Sequence, residues 1–146
     1  MLNAIFFYRI AHRLYLWHTP IIPKIIDLLI FLIYNSRVPY QATIGKGTFF
    51  GYGGMGVVIH KKSVIGRNCV IAQQVTIGGG NSTHPGIPQI GDNVYISKGS
   101  IVIGGITVGN NATIGALSLV NKSVPDNAVV AGIPAKILKY NEPKNN

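Results

Sequence analysis

Acidic side chains are scarce in this chain: four Asp and Glu stand against thirteen Lys and Arg in 146 residues. The resulting formal charge of +9 points to anionic partners, namely nucleic acid, phosphate-rich ligands or an anionic membrane surface. No recognition-helix pattern and no aromatic RNA motif accompanies that charge, so nucleic acid is set aside. The single cysteine, Cys69, excludes an internal disulfide, fits a reducing compartment and reads as a small buried residue. No His/Cys/Asp cluster has ligand spacing, so no metal is expected. Long hydrophobic runs are missing as well. The apolar run at residues 28–34 is seven residues long, against about twenty needed to span a bilayer. The amino terminus lacks the basic-then-apolar order and small-residue cleavage site of a secretory signal. A cytoplasmic location is therefore expected, at the inner face of the membrane if one is touched.

What is present is a period of six. Read in sixes from Ile90, the first residues of successive blocks are Ile90, Ile96, Val102, Val108, Ile114 and Val120, all branched aliphatics. The fifth residues are Val94, Ser100, Ile106, Ala112, Ser118 and Val124, small or medium throughout, and Gly91, Gly109 and Gly115 fill second places. Six fits neither an amphipathic helix nor a simple alternating strand and signals a solenoid of short strands. Three blocks make one triangular coil, with one aliphatic pointing inward per side. Each aliphatic then lands on the one eighteen residues away, as Ile96 on Ile114, in a stack that suits β-branched side chains. Small residues fit the corners, and Asn93, Asn110 and Asn111 suit positive φ there.

The lattice begins at Ile44, breaks at residues 51–56 and resumes at Ile59, Ile65, Ile71 and Ile77. From Ile44 to Ile59 is fifteen residues, three more than two blocks; from Ile77 to Ile90 is thirteen, one more than two blocks. Both irregularities are glycine-rich and lie near histidines, and departures from a regular pattern are where function is expected. Residues 1–37 carry no such lattice. Ile5, Phe6, Ile10, Leu14 and Trp17 predict a first helix, with Arg9, His12 and Arg13 interleaved. Thr19-Pro20 and Pro23 break the pattern, and a second helix is predicted over residues 24–34. These helices either cap the solenoid or pack on a neighbouring subunit, or else residues 1–35 lie on a membrane; His12 and His18 read as solvated or capping residues. Val38-Pro39 marks the boundary, giving a helical segment at 1–37, a repeat domain at 38–140 and a tail at 141–146.

Over residues 44–138 the lattice resembles the hexapeptide-repeat acyltransferases, a family that includes serine acetyltransferases and sugar O-acetyltransferases. The resemblance implies a mainly β fold, the left-handed parallel β-helix, with a short helical amino-terminal segment. It also implies a homotrimer with shared sites, acetyl-CoA as co-substrate, no metal, and direct attack by an acceptor hydroxyl. Thr83-His84-Pro85 followed by Ile90-Gly91-Asp92-Asn93-Val94-Tyr95-Ile96 resembles the loop of the sugar acetyltransferases, which implies His84 as general base. A hydroxyl is a poor nucleophile until its proton leaves, and imidazole can accept that proton at neutral pH. His60, in an Ile-His pair at a corner, is a second candidate base or a structural residue. Tyr52 stands where the serine branch has its catalytic histidine, and a phenol is a weak base at neutral pH.

Backbone N–H groups near Gly79 are candidate oxyanion donors. The resemblance assigns coenzyme A to Gly79, Ser97, Gly115 and Ala116, with Lys122 and Lys136, and beside them Lys139, suited to its phosphates. Val130-Ala131-Gly132-Ile133-Pro134-Ala135-Lys136 matches the family's closing segment. Arg37, Gly51 and Tyr52 stand where the serine branch has an acid, an acid and a histidine. A site deprived of such groups loses its ligand heavily, so the expected acceptor is a saccharide hydroxyl of capsule, exopolysaccharide or O-antigen. The alternatives are serine itself and a non-catalytic scaffold, and the segments from Gly56 and Gln73 look most like the serine branch.

Overall fold

The computed structural model describes residues 1–83 and 85–142. Short strands wind into a three-faced parallel prism. Face one stacks Thr43–Ile44, Val64–Ile65, Gln89–Ile90 and Thr107–Val108. Face two stacks Phe49–Phe50, Val70–Ile71, Tyr95–Ile96, Thr113–Ile114 and Ala128–Gly132. Face three stacks Val58–Ile59, Thr76–Gly78, Ile101–Ile103 and Leu119–Val120. Ile96 pairs with Ile114, Val102 with Val120 and Ile90 with Val108, the eighteen-residue register expected from the period.

Each six-residue block contributes two inward residues rather than one. The aliphatics are buried, and so are the fifth residues Val94, Ser100, Ile106, Ala112, Ser118 and Val124. The fifth place thus completes the core as well as the corner. Where it is serine, the hydroxyl turns back to the corner backbone: Ser100 Oγ donates to the Gly115 carbonyl at 2.8 Å and Ser118 Oγ to the same oxygen at 2.7 Å. A buried hydroxyl without such a partner would be costly.

The corner after face one explains the glycines. Gly45, Gly66, Gly91 and Gly109 stack there, and a Cβ on Gly66 would lie 2.6 Å from the Gly91 carbonyl carbon. Two residues on, Gly47, Asn68, Asn93 and Asn111 take positive φ, as does Asn127 in the next coil. Asn110 does not. Its side-chain carbonyl accepts the Asp92 N–H at 2.8 Å, while Asp92 Oδ1 accepts from Arg67 N–H and Asp126 Oδ1 from Asn110 N–H, each at 2.7 Å. Asn110 is a rung of a side-chain ladder, not a left-handed corner residue.

The second irregularity is also read differently by the structure. Ile77 on face three is followed directly by Ile90 on face one, so a single corner has swollen by seven residues. Ile65 pairs with Ile90, Ile71 with Ile96 and Ile77 with Val102, so register survives across the insertion. It survives because Gly80 N–H donates to the Gly86 carbonyl at 2.8 Å and closes the neck of the loop. At the far end the lattice contracts: Val124 bridges to Val108, and Val130 pairs with Ile114, each sixteen residues away. The last strand, Ala135–Tyr140, then runs back antiparallel along Ala128–Gly132.

Helix α1 spans Ala4–Leu16 and α2 spans Ile22–Tyr34. α2 starts two residues before the sequence-based expectation, because Pro23 sits in its first turn, where a missing N–H leaves nothing unpaired. α1 closes the first coil, with Ala4, Tyr8 and Ala11 fully buried against it. Asn3 caps the helix by accepting the Ile5 N–H at 3.1 Å and ties it down by donating to the Phe50 carbonyl at 2.7 Å. Arg9 donates to the carbonyls of Ile44 at 2.7 Å and Gly45 at 2.6 Å, and His12 Nδ1 meets the Tyr40 carbonyl at 2.6 Å. Asn141 N–H donates to the Asn127 carbonyl at 2.7 Å, holding the first residue of the expected tail; residues 143–146 lie outside the described residues.

Candidate functional site

Two edges of the prism carry the candidate residues, one on each side of face three. The edge between faces two and three stacks Gly51, Ala72, Ser97, Gly115 and Ala131. Ala72 N–H donates to Ile96 at 2.9 Å, Ser97 to Ile114 at 3.0 Å and Gly115 to Val130 at 2.8 Å. The row leaves no room at Gly115, where a Cβ would stand 2.8 Å from Ala131 Cβ. Ser97, Gly115 and Ala116 therefore belong to one run of small residues, whose side chains leave the backbone accessible to a long thin ligand. Tyr52 lies on the same edge, in a turn at Gly51–Gly54 that interrupts the lattice. Its φ of 47° and ψ of 43° are left-handed, and its ring is 66% exposed. Gln74, at φ 59°, and Leu117, at φ 56°, are further non-glycine residues held in that region on this edge. Aromatic or branched aliphatic side chains there are strained, and such strain gathers at functional positions. Nothing in the sequence marks Leu117 as left-handed.

The edge between faces three and one carries His60 and the swollen corner. His60 N–H donates to the Ile77 carbonyl at 2.8 Å, which seats the histidine under the start of the loop. A side chain on Gly79 would begin 3.6 Å from His60 Cδ2, 3.8 Å from Nε2 and 3.0 Å from Ile87 Cδ1. Glycine at 79 thus lets backbone lie directly on the imidazole. The loop is pinned from the other side, where Gly105 N–H donates to the Pro85 carbonyl at 2.7 Å. Thr83 N–H donates to Asn81 Oδ1 at 2.9 Å. His84, the expected base, lies outside the described residues.

The imidazole of His60 has an assigned tautomer. Lys62 N–H donates to Nδ1 at 3.1 Å, so in the neutral ring the proton resides on Nε2. Nε2, the nitrogen nearer Gly79, is then a donor and has no lone pair to offer a hydroxyl proton. His60 is built to donate a hydrogen bond rather than to accept a proton there.

Lys122 and Lys136, far apart in sequence, come together around an open cavity of about 280 Å³ that Val120, Val124, Val130 and Ala135 also line. Lys122 lies just past the edge of His60, one side of the prism away from Gly115 and Ala116. Crossing that side takes about six residues, or roughly 15–20 Å. One copy of the chain therefore does not gather all the candidates at one point. Tyr52, Ser97, Gly115 and Ala116 sit on one edge, and His60, Gly79 and Lys122 on the other. Cys69 is buried beneath the Gly91 carbonyl, to which its thiol donates at 3.1 Å, and burial pushes the thiol pKa up. It takes no part in either edge.

A solenoid of hexapeptide coils with an extruded, glycine-necked loop defines a class, and the comparisons name it. A family model described as bacterial transferase hexapeptide (six repeats) matches residues 87–122. A serine acetyltransferase of Synechococcus elongatus is 37% identical over 137 residues, covering 93% of this chain and 56% of the relative. One from Bacillus pumilus is 40% identical over 146 residues, covering 99% of this chain and 67% of the relative. The crystal structure of a Brucella abortus serine acetyltransferase in complex with coenzyme A superposes with a TM-score of 0.87 at 33% identity, covering 95% of this chain and 56% of that one. This chain thus spans from just over half to two thirds of the length of the proteins it matches. The chain belongs to the hexapeptide-repeat acyltransferase family.

These findings overturn the expected saccharide acceptor. That expectation weighed three positions, Arg37, Gly51 and Tyr52, against the rest of the chain. The relatives at 37–40% identity over nearly its whole length are serine acetyltransferases, so three local differences are outweighed by similarity along the rest of the chain. The resemblance of the Gly56 and Gln73 segments to the serine branch points the same way as these relatives.

Proposed function

We propose that this chain transfers the acetyl group of acetyl-CoA to the side-chain hydroxyl of L-serine. The observation that carries the proposal is the similarity to serine acetyltransferases along nearly the entire chain, on a superposable fold. In this reading the pantetheine arm runs along the small-residue edge at Ser97, Gly115 and Ala116, and Lys122 and Lys136 hold the phosphates. His84 removes the serine hydroxyl proton as the oxygen attacks the thioester carbonyl. The Gly79 N–H and the His60 Nε2–H stabilise the oxyanion. Collapse of the tetrahedral intermediate expels coenzyme A thiolate, which takes the proton from His84. The product is O-acetylserine, with no acyl-enzyme.

The separation of the two edges supports a further element, a closed cyclic homotrimer. A heterologous interface brings different surfaces of two copies together, so the small-residue edge of one copy meets the His60 edge of the next. Val58 and Ile101 on face three are half-exposed aliphatics suited to that contact. Light scattering checks it, a monomer mass at micromolar concentration being the contrary outcome.

The direct test of activity is coenzyme A release from acetyl-CoA with serine, read against an acceptor-free blank, with O-acetylserine identified by mass. Release no faster than the blank at millimolar serine rejects the proposal. Tyr52, in place of histidine, favours one second reading, a non-catalytic partner; coenzyme A binding without turnover of any hydroxyl acceptor is its signature.

A further inference from the structure

α2 carries more apolar surface than its packing uses. Pro23, Ile30 and Tyr34 face the protein and are buried. Ile21 at its N-cap and Ile25, Leu28, Leu29 and Leu32 along the helix, at spacings of three and four, form a second stripe that stays exposed, Leu32 at 66%. A helix apolar on all sides is one that something covers, and a contiguous patch of this size marks an interaction surface. No described helix is long and apolar enough to cross a membrane, so any contact with a bilayer is made lying down.

Beside the stripe lies a separate feature, an open cavity of about 570 Å³. Lys24, Asp27, Leu28 and Phe31 of α2 form one wall, and Arg37, Tyr40 and Lys61 are among the residues opposite. Three cations thus converge on one cavity whose apolar wall, Leu28 and Phe31, continues into the exposed stripe. Cationic pocket and greasy slope meet at the same two side chains. That is the shape of an amphiphile: a phosphate at the cations, hydrocarbon along the slope.

We propose that this face of the protein docks on an anionic phospholipid bilayer, α2 lying in the interface and a lipid headgroup phosphate seated among Lys24, Arg37 and Lys61. The charge complement is specific to this end of the chain. Residues 1–37 hold Arg9, Arg13, Lys24 and Arg37 against one acid, Asp27. Arg9 is committed to the Ile44 and Gly45 carbonyls and Arg13 lines a different cavity, which leaves Lys24 and Arg37, with Lys61 from the repeat domain, for the headgroup. Aromatic Trp17 and Tyr15, exposed where the two helices join, suit the headgroup level of a bilayer. Asp27 opposes the phosphate, but its Oδ1 is turned out of solvent with no hydrogen-bond partner. Burial lifts that carboxyl to about 6, against the lowering effects of the Tyr40 N–H and Arg37. Docking therefore tightens as pH falls through 6 and the repelling charge is lost.

The test is sedimentation of the full chain with vesicles, without acetyl-CoA or acceptor, so it stands apart from the enzymatic reading. Neutral phosphatidylcholine vesicles are compared with vesicles containing three parts in ten phosphatidylglycerol. The chain is expected to bind the anionic vesicles and to lose binding with added salt. The double variant Lys24→Gln/Lys61→Gln should bind them roughly thirty-fold more weakly, and Leu28→Ser/Leu32→Ser should also lose the anionic vesicles. Inorganic phosphate separates the sources of the anion: stoichiometric phosphate binding with no vesicle binding makes this a soluble-phosphate site and overturns docking. So does an unbound chain whose oligomeric mass falls in Leu28→Ser/Leu32→Ser, because the stripe is then a contact between copies. Equal binding to neutral and anionic vesicles, unchanged by the double lysine variant, overturns the headgroup pocket.

Discussion

His60→Asn separates the two roles a histidine can take at the His60 edge. Asparagine keeps an oxygen where Nδ1 stood, so the Lys62 N–H retains its acceptor, while the nitrogen facing Gly79 is lost. For His60 to act as a base through Nε2, its proton must first move to Nδ1, which gives up the bond from Lys62. A hydrogen bond of this kind contributes about 1 kcal/mol net, so the base-competent tautomer is disfavoured roughly five-fold before reaction begins. As a donor to the oxyanion, by contrast, Nε2–H needs no rearrangement, and removing one such donor costs about 10²-fold in kcat or more. The expected result is a kcat about 10² lower, a KM for acetyl-CoA within a few-fold of the parent, and an acidic limb of the kcat/KM pH profile that persists. His84→Ala should lower kcat by about 10² to 10⁴ and erase that limb. Steady-state rates across pH, with serine as acceptor, make the comparison. A His60→Asn profile flat on the acid side, beside a His84→Ala profile that keeps its limb, would refute the tautomer argument and make His60 the base.

Ile96→Ala removes a fully buried rung between Ile71 and Ile114. It should cost about 2–5 kcal/mol, seen as a melting temperature lower by about 10 °C in calorimetry. Gly66→Ala places a methyl 2.6 Å from the Gly91 carbonyl carbon and should cost about 1–3 kcal/mol by the same measurement, whereas no loss would mean that the corner can open. The Asp27 pKa, raised from 3.8 to about 6, disfavours the folded state once the carboxyl ionises. Wild-type stability should therefore fall as pH rises through 6, and Asp27→Asn should raise the melting temperature at pH 8 but not at pH 3.5. Cys69, buried and held protonated, should react with thiol reagents at pH 8 only after denaturant is added, as followed by absorbance.

Much of the fold is legible in the sequence because the first inward-facing place of each block holds a branched aliphatic almost throughout, Phe50 excepted. The eighteen-residue pairing of Ile96 with Ile114 follows from that constraint alone. The swollen corner is harder to read. Thirteen residues from Ile77 to Ile90 look like two blocks and one extra, and it takes the Gly80–Gly86 closure to show a single swollen corner, with no strand among the described residues between Gly78 and Gln89. Asn110 and Asn111 are indistinguishable by residue type, yet one is a ladder rung and the other a left-handed corner. At the site, the sequence marks His60 and Gly79 as separate candidates but not that one lies on the other, nor that a backbone N–H two residues on sets the tautomer of His60. A saccharide acceptor follows only if the absence of polar groups at Arg37, Gly51 and Tyr52 outweighs similarity along the rest of the chain, and the relatives weigh the other way.

The reversed strand Ala135–Tyr140 has a consequence for assembly. A parallel stack presents at each end a rim onto which a like coil could add, and an unguarded rim invites head-to-tail polymerisation into fibres. Here one end is stoppered by α1 over the first coil. On face two of the other, the antiparallel return occupies the hydrogen-bonding groups that a further parallel strand would need. Its exposed Lys136 and Lys139 add mutual repulsion between would-be neighbours. On this face the stack is closed to a further parallel strand, while the other two faces carry no such return among the described residues.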